Sequence, residues 1–259
     1  MLMSKNKNIT KKKIIALIPA RGGSKSIPKK NIINIGGHPL IAYSIAAAKL
    51  SKFISRVIVS TDSKEIAEIG KSYGAEAPFL RPKKISGDRA LDIEFFMHAL
   101  EWLEKNEGYV PNLIVHLRPI APARESALID KAILEIANDK KATALRSAHP
   151  ACYNGYKTFR KEKEYIHFFG KEDFKGNEEY YNYPRQSLPA TFNPNGYVDI
   201  VLSKTLKETG TLHGKYIRAF ITEKIADIDD IEDVKFAEKL LKEKKYAPLS
   251  RLLNNINKR

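Results

Sequence analysis

The stretch Ile14-Ile15-Ala16-Leu17-Ile18-Pro19-Ala20-Arg21-Gly22-Gly23-Ser24-Lys25-Ser26-Ile27-Pro28-Lys29-Lys30-Asn31 decides how this chain reads. It opens with an unbroken apolar run, too short for a helix and without the alternation of a half-exposed strand. Such a run suits a strand covered on both faces. It passes directly into a loop with two glycines and the cations Arg21, Lys25, Lys29 and Lys30. Glycines let a backbone approach a ligand closely, and successive N–H groups in such a turn form a nest for an anion. The loop is neither a Walker A frame nor a GxGxxG fingerprint. Its place after the first strand of an α/β pattern favours phosphate binding over an ordinary basic surface turn.

Outward from this loop, short apolar runs alternate with helical patterns. Helices are expected at Pro39–Leu50, Ser63–Tyr73 (with Ser63 as N-cap), Ala90–Asn106, Ser126–Ala137 and Asp230–Lys245. Strands are expected at Arg56–Ser60, Leu113–Leu117, Ala142–Arg146 and Tyr216–Ile221, with regular structure also at Gly196–Leu202. Alternation of this kind predicts an α/β fold: βαβ units in a mostly parallel, Rossmann-like sheet with helices on both faces. Ligands of such sheets bind at the carboxyl ends of the strands, so the residues just past each strand matter most. Residues 150–195, rich in aromatics, glycine and proline, read as an inserted, hairpin-like arm.

Composition narrows the partners. The chain has 259 residues, 45 Lys and Arg against 30 Asp and Glu, and a net charge of +15. The first thirteen residues hold five lysines and no acid, and Lys235–Arg259 holds eight basic residues against Glu238 and Glu243. The ends thus account for +11, leaving a nearly balanced body, which argues against a nucleic-acid-binding protein. Residues 1–13 and 246–259 are expected to be solvated basic tails around one domain, 14–245. The single cysteine, Cys152, excludes an internal disulfide. No apolar run is long enough for a membrane span, and no secretory segment is apparent, so a cytoplasmic protein is expected.

The quoted loop resembles the opening motif of the acylneuraminate (CMP-sialic acid) cytidylyltransferase family, A-R-x-x-S-K-x-[IL]-P-x-K-N. The likeness continues in order through Val57-Ile-Val-Ser-Thr-Asp62, Leu80-Arg81-Pro82 with Gly87-Asp88, Leu117-Arg118-Pro119 to Arg124, Tyr183-Pro-Arg185 to Asn195-Gly196, and Asp227-Ile-Asp229. The resemblance implies a fold of the nucleotide-diphospho-sugar transferase type. It implies transfer of CMP from CTP to an acidic 2-keto sugar, with release of pyrophosphate. It also implies a homodimer formed through the arm.

The candidate site follows. Ala20, Arg21, Gly22, Gly23, Ser24, Lys25, Lys30 and Asn31 are the loop's candidates for nucleotide binding, with Arg21, Lys25 and Lys30 on the triphosphate and Asn31 ordering the loop or the phosphates; Arg21, Lys30, Asp227 and Asp229 are the catalytic candidates. Arg81, Ala90 and Asp92 would border the base. Asp227 and Asp229 stand two apart, so in an extended chain both face one side and suit Mg²⁺. The acids at 229–233 equally suit a helix cap. The resemblance assigns the pair to the metal. Arg118, Arg124, Arg185, Asn195 and Asp199 would shape the sugar pocket.

Two departures stand out. Relatives read N-G-A-I-Y-I where this chain has Asn195-Gly-Tyr-Val-Asp199-Ile, so an acid replaces a tyrosine. Such an acid repels a sugar carboxylate unless a cation such as Arg118 pairs with it. Asp92 falls where many relatives have a hydroxyl, and a carboxylate there also matches guanine. These acids support an alternative that uses GTP and a neutral or amino sugar phosphate. His116 reads as a packed core histidine within a strand.

Overall fold

The apolar run forms β1 (Ile14–Pro19) at the centre of the molecule. Its successive side chains point to opposite faces, as a pleated strand requires. Ile14, Ala16 and Ile18 enter one hydrophobic core, while Ile15 and Leu17 enter another. All five are fully buried, which explains a run with no polar interruption. The computed structural model describes residues 9, 11–24, 27–174 and 176–256. Lys25 and most of the expected N-terminal tail lie outside the described residues. Ile9 is described and is buried.

A small hairpin, β2 (Asn34–Ile35) and β3 (His38–Pro39), turns at Gly36 and Gly37, whose φ angles are 56° and 92°. Then come α1 (Leu40–Lys49), β4 (Arg56–Ser60), α2 (Lys64–Ser72), α3 (Asp92–Glu107), β5 (Leu113–His116) and α4 (Ser126–Asn138). Ser63 caps α2 as expected, its hydroxyl accepting from the Ile66 N–H. The chain continues through β6 (Ala144–Pro150), β7 (Phe159–Glu162), β8 (Tyr165–Phe168), β9 (Phe192–Leu202), α5 (Ser203–Thr209) and β10 (Ile217–Ile221). It closes with α6 (Ile231–Leu240) and α7 (Ala247–Ile256). The arm is hairpin-like as read, with β7 and β8 antiparallel and the remainder in short 3-10 turns.

The main sheet runs β10-β6-β9-β5-β1-β4. It is mostly parallel, but β9 is antiparallel to both β5 and β6. Helices cover both faces: α1, α4, α6 and α7 pack into one core, and α3 and α5 into the other. The helix α5 has no counterpart in the sequence reading.

One boundary is corrected. Residues 246–259 were expected to be a solvated tail, but 247–256 form α7, and Tyr246, Leu249 and Leu253 are buried in the core that α1 lines. A fully buried leucine contributes about 1.5–3 kcal/mol. Two leucines four apart on one helix face are therefore enough to dock it, despite the surrounding lysines. The domain runs to at least residue 256.

Candidate active site

A cleft of about 510 Å³ opens at the carboxyl ends of β1 and β5. Pro19, Arg21, Gly23, Ser24, Lys30 and Asn31 come to it from the first loop. The segment after β4 contributes Arg81, Ala90 and Asp92, and the loop after β5 contributes Arg118. Most of the expected nucleotide site is thus brought together. Ala20 and Gly22 are not on the cleft surface. Ala20 is fully buried, and the Gly22 N–H donates to Asp62 Oδ1 at 2.8 Å. That N–H cannot also serve a phosphate, so Gly22 positions the loop rather than the ligand. A Cβ at Gly22 would meet the Ser63 Cβ at 3.2 Å, which is the close approach that calls for glycine.

The loop is held in a strained shape. Lys29 adopts the left-handed region (φ 54°, ψ 31°), which costs a non-glycine residue about 1–2 kcal/mol. Its ammonium pairs with Glu65 at 2.8 Å, and the Asn31 amide donates to the Arg21 carbonyl at 2.9 Å. The bend buries Lys30 and sends its ammonium to Asp229, at 2.8 Å. Arg21 meets Asp88 across the cleft at 2.9 Å.

Arg81 is buried in the wall of the cleft. It donates to the Ser60 hydroxyl at 3.1 Å and to the Ser60 carbonyl, and lies 4.8 Å over the Phe95 ring. Burial lowers its pKa to about 10, so it stays charged at neutral pH. Asp92 opens α3, and its Oδ2 accepts from Arg118 at 2.6 Å. Its Oδ2 is turned to the arginine, and the side chain is 39% exposed.

Asp227 and Asp229 lie beside the cleft rim. Between them Ile228 is fully buried, and its N–H donates to the carbonyl of Ile120, which lines the cleft. Asp227 Oδ1 is buried with no hydrogen-bond partner. Burial, then the neighbouring Asp229, raise the Asp227 pKa, while Lys30 and Arg124 oppose the rise. A crowded carboxylate pair with an orphaned oxygen is a donor set that a hard divalent cation would satisfy. Among the described residues no group of three or more His, Cys, Asp and Glu could hold a metal, so substrate oxygens and water would complete the shell. The capping role is filled separately: Asp230 caps α6, accepting from the N–H groups of Glu232 and Asp233.

The sugar candidates separate. Arg124 is corrected outright. It is 1% exposed, and its donors go to the Tyr197, Ala121, Arg118 and Gly196 carbonyls and to the Ser44 hydroxyl. A guanidinium has five N–H groups, and all five are used. Arg124 therefore shapes the loop that carries Arg118. Arg185 lies on the arm, donates to the Ala151 carbonyl and lines a different hollow, with Pro150, Asn154 and Leu188. Asn195 is buried in β9, donating to the Thr222 hydroxyl and accepting from the Tyr197 N–H. Neither reaches the cleft. Asp199, also in β9, is 1% exposed and pairs with Arg118 Nη1 at 2.9 Å, the pairing an acid at this position needs. His116 is the core histidine expected, packed against Phe95 and Phe96 and kept neutral mainly by burial.

The sequence reading missed the supporting contacts: Asp62 under Gly22, Phe95 under Arg81, and Arg146 with Ser147 beside Asp199. Asp62 carried a signal, since it follows β4 within a matching segment. Arg146 carried none, because nothing local links β6 to β9.

Residues 15–246 match the family model for cytidylyltransferases. The chain belongs to the cytidylyltransferase family. It is 32% identical over 237 residues to the pseudaminic acid cytidylyltransferase of Campylobacter jejuni, covering 89% of this chain and 97% of that one. It is 32% identical over 255 residues to the N-acylneuraminate cytidylyltransferase of Escherichia coli O18:K1:H7, covering 95% of this chain but 56% of that enzyme's length. A solved CMP:2-keto-3-deoxy-manno-octonic acid synthetase, complexed with CTP, shares the fold at a TM-score of 0.63 and 15% identity, covering 88% and 98% of the two chains. No helix among the described residues is long and apolar enough to cross a membrane.

Proposed function

We propose that this cytidylyltransferase activates an acidic 2-keto sugar of the nonulosonic type with CTP, giving the CMP-sugar and pyrophosphate. The observation that carries the reading is that Arg21, Lys30 and Arg118 line one cleft, with Asp229 joined to Lys30 at 2.8 Å and Ile228 tied to Ile120 of the same lining. The sugar's anomeric hydroxyl attacks the α-phosphorus in line, a bond forms to that oxygen as its proton passes to water, and the bond to pyrophosphate breaks. Such a transfer depends on positioning and charge neutralisation more than on a protein nucleophile. Arg21 and Lys30 neutralise the triphosphate, and Asn31 keeps the loop closed around it. Arg81 and Ala90 border the base. Mg²⁺ held by Asp227 and Asp229 would add positive charge at the phosphates and make the attacking hydroxyl more acidic. Lys30, bound here to Asp229, would then be released toward the phosphates.

The GTP alternative rests on Asp92 and Asp199, and both carboxylates are engaged by Arg118. CTP is favoured because the chain matches the cytidylyltransferase family over residues 15–246 and shares its fold with a synthetase solved with CTP. We further infer a cytoplasmic homodimer built through the arm, which exposes Phe159, Tyr165, Ile166 and Phe169.

The test is pyrophosphate release with CTP, GTP, UTP and ATP, each with Mg²⁺, against nonulosonic acids, shorter 2-keto sugar acids and hexosamine 1-phosphates. CTP with a 2-keto acid is the expected productive pair. Turnover of GTP with a sugar phosphate instead would sink the reading, and a monomer by light scattering would remove the dimer.

A further inference from the structure

Among the described residues that line the cleft, Arg118 is held by two carboxylates of opposite character. On one side Asp199 is 1% exposed, pairs with Nη1 at 2.9 Å and sits 3.6 Å from Arg146 Nε. The second Asp199 oxygen accepts from the Ser147 N–H at 3.3 Å. Breaking such a buried contact would strand a charge, so Asp199 is a permanent support. On the other side Asp92 has a side chain 39% exposed and pairs with Nη2 at 2.6 Å. This pair is partly screened by solvent, with the Arg118 side chain 24% exposed, so it opens at less cost than the buried Asp199 contact. Asp92 is also the first residue of α3, where the N-terminal end of the helix dipole stabilises a carboxylate that has let go of its arginine.

We propose that Asp92 is an exchangeable latch on Arg118. The carboxylate of the acidic sugar takes its place on Nη2, while Asp199 keeps the guanidinium aimed into the cleft. Arg118 is then the group that reads the sugar's charge, and Asp199 is a positioning residue acting through it. The exchange trades one carboxylate for another on the same donor, so no unpaired charge is buried at any stage. It also accounts for an acid at position 199: without it, Arg118 would have only the latch to hold it. The inference rests on the acidic-sugar reading of the site and adds the means of selection.

The test measures KM for the acidic sugar, KM for CTP and kcat in three forms of the full chain. Asp92→Asn removes the competing carboxylate and is expected to lower KM for the acidic sugar about two- to fivefold, with KM for CTP measured alongside. The same variant assayed with the sugar's carboxamide or methyl ester shows no such gain. Asp199→Asn is expected to raise KM for the sugar about tenfold or more while KM for CTP stays fixed, and Asp199→Glu to recover part of the loss. If Asp199→Asn fails to fold, the Asp92→Asn comparison between acid and neutral analogue still decides. An unchanged or raised sugar KM in Asp92→Asn, or the same gain with the neutral analogue, overturns the latch while leaving the function standing. Absence of any wild-type turnover with acidic sugars overturns both.

Discussion

Two regions of the molecule carry residues with equally good motif matches, and they behave differently. The loops after β1 and β5 and the segment after β4 put Arg21, Lys30, Arg81 and Arg118 on the cleft. The segment from the arm into β9 holds Arg185, Asn195 and Asp199, none of which lines it. Arg185 sits on the exposed arm, and for Asn195 and Asp199 the difference is one of backbone. A residue just past a strand has left the ladder and is free to face a ligand, whereas one inside a central strand is packed among neighbours on both sides. Asn195 and Asp199 therefore act on what stands in front of them. Arg118 and Arg124, six apart in one loop, repeat the contrast: one has a displaceable acid, the other has every donor taken.

The hardest test of this contrast lies on the cleft side. Arg21→Ala and Asp229→Ala are each expected to cut kcat/KM for CTP by about 10²–10³, the usual loss when a charge-stabilising group is removed, with the fold intact by circular dichroism. Full activity in both would dissolve the distinction between the regions. Next in size is Arg124→Met. It strands several buried carbonyls, so a loss of about 3 kcal/mol is expected, or about 6–12 °C in the thermal midpoint. A variant that kept its midpoint and lost only sugar affinity would return Arg124 to the substrate.

The smallest effect is a pH dependence at Asp227. Its pKa is raised in the fold, so ionisation costs stability there. Stability from this group is fully present below the ordinary carboxylate value of 3.8 and is lost as pH rises through the raised one. Asp227→Asn should therefore raise the thermal midpoint at pH 7, with the gain fading in acid, while turnover falls. Added Mg²⁺ should raise the wild-type midpoint and leave the variant's unmoved. A wild-type midpoint indifferent to Mg²⁺ would remove the metal from this pair.

Much of the site was legible because its parts are local. The glycine pair, the cations around it and the i, i+2 aspartates are read within a few residues, and the alternation of strands and helices says which ends to watch. The C-terminal segment was misread for a related reason. Its lysines dominate the composition, but Leu249 and Leu253 decide its fate once α1 offers an apolar face. The arginines were legible as charges, but their partners were not.

The sequence alone determined the α/β class, the buried character of β1, the basic glycine loop and the spacing of the aspartate pair, because each depends on neighbours in the chain. The tertiary structure alone decided that β9 runs antiparallel, which sets Asp199 beside both His116 and Arg146. It also decided that Arg124 is saturated while Arg118 is shared between two acids. Those outcomes depend on contacts between segments tens of residues apart, and a side chain's identity does not say which backbone groups will surround it once the sheet has closed.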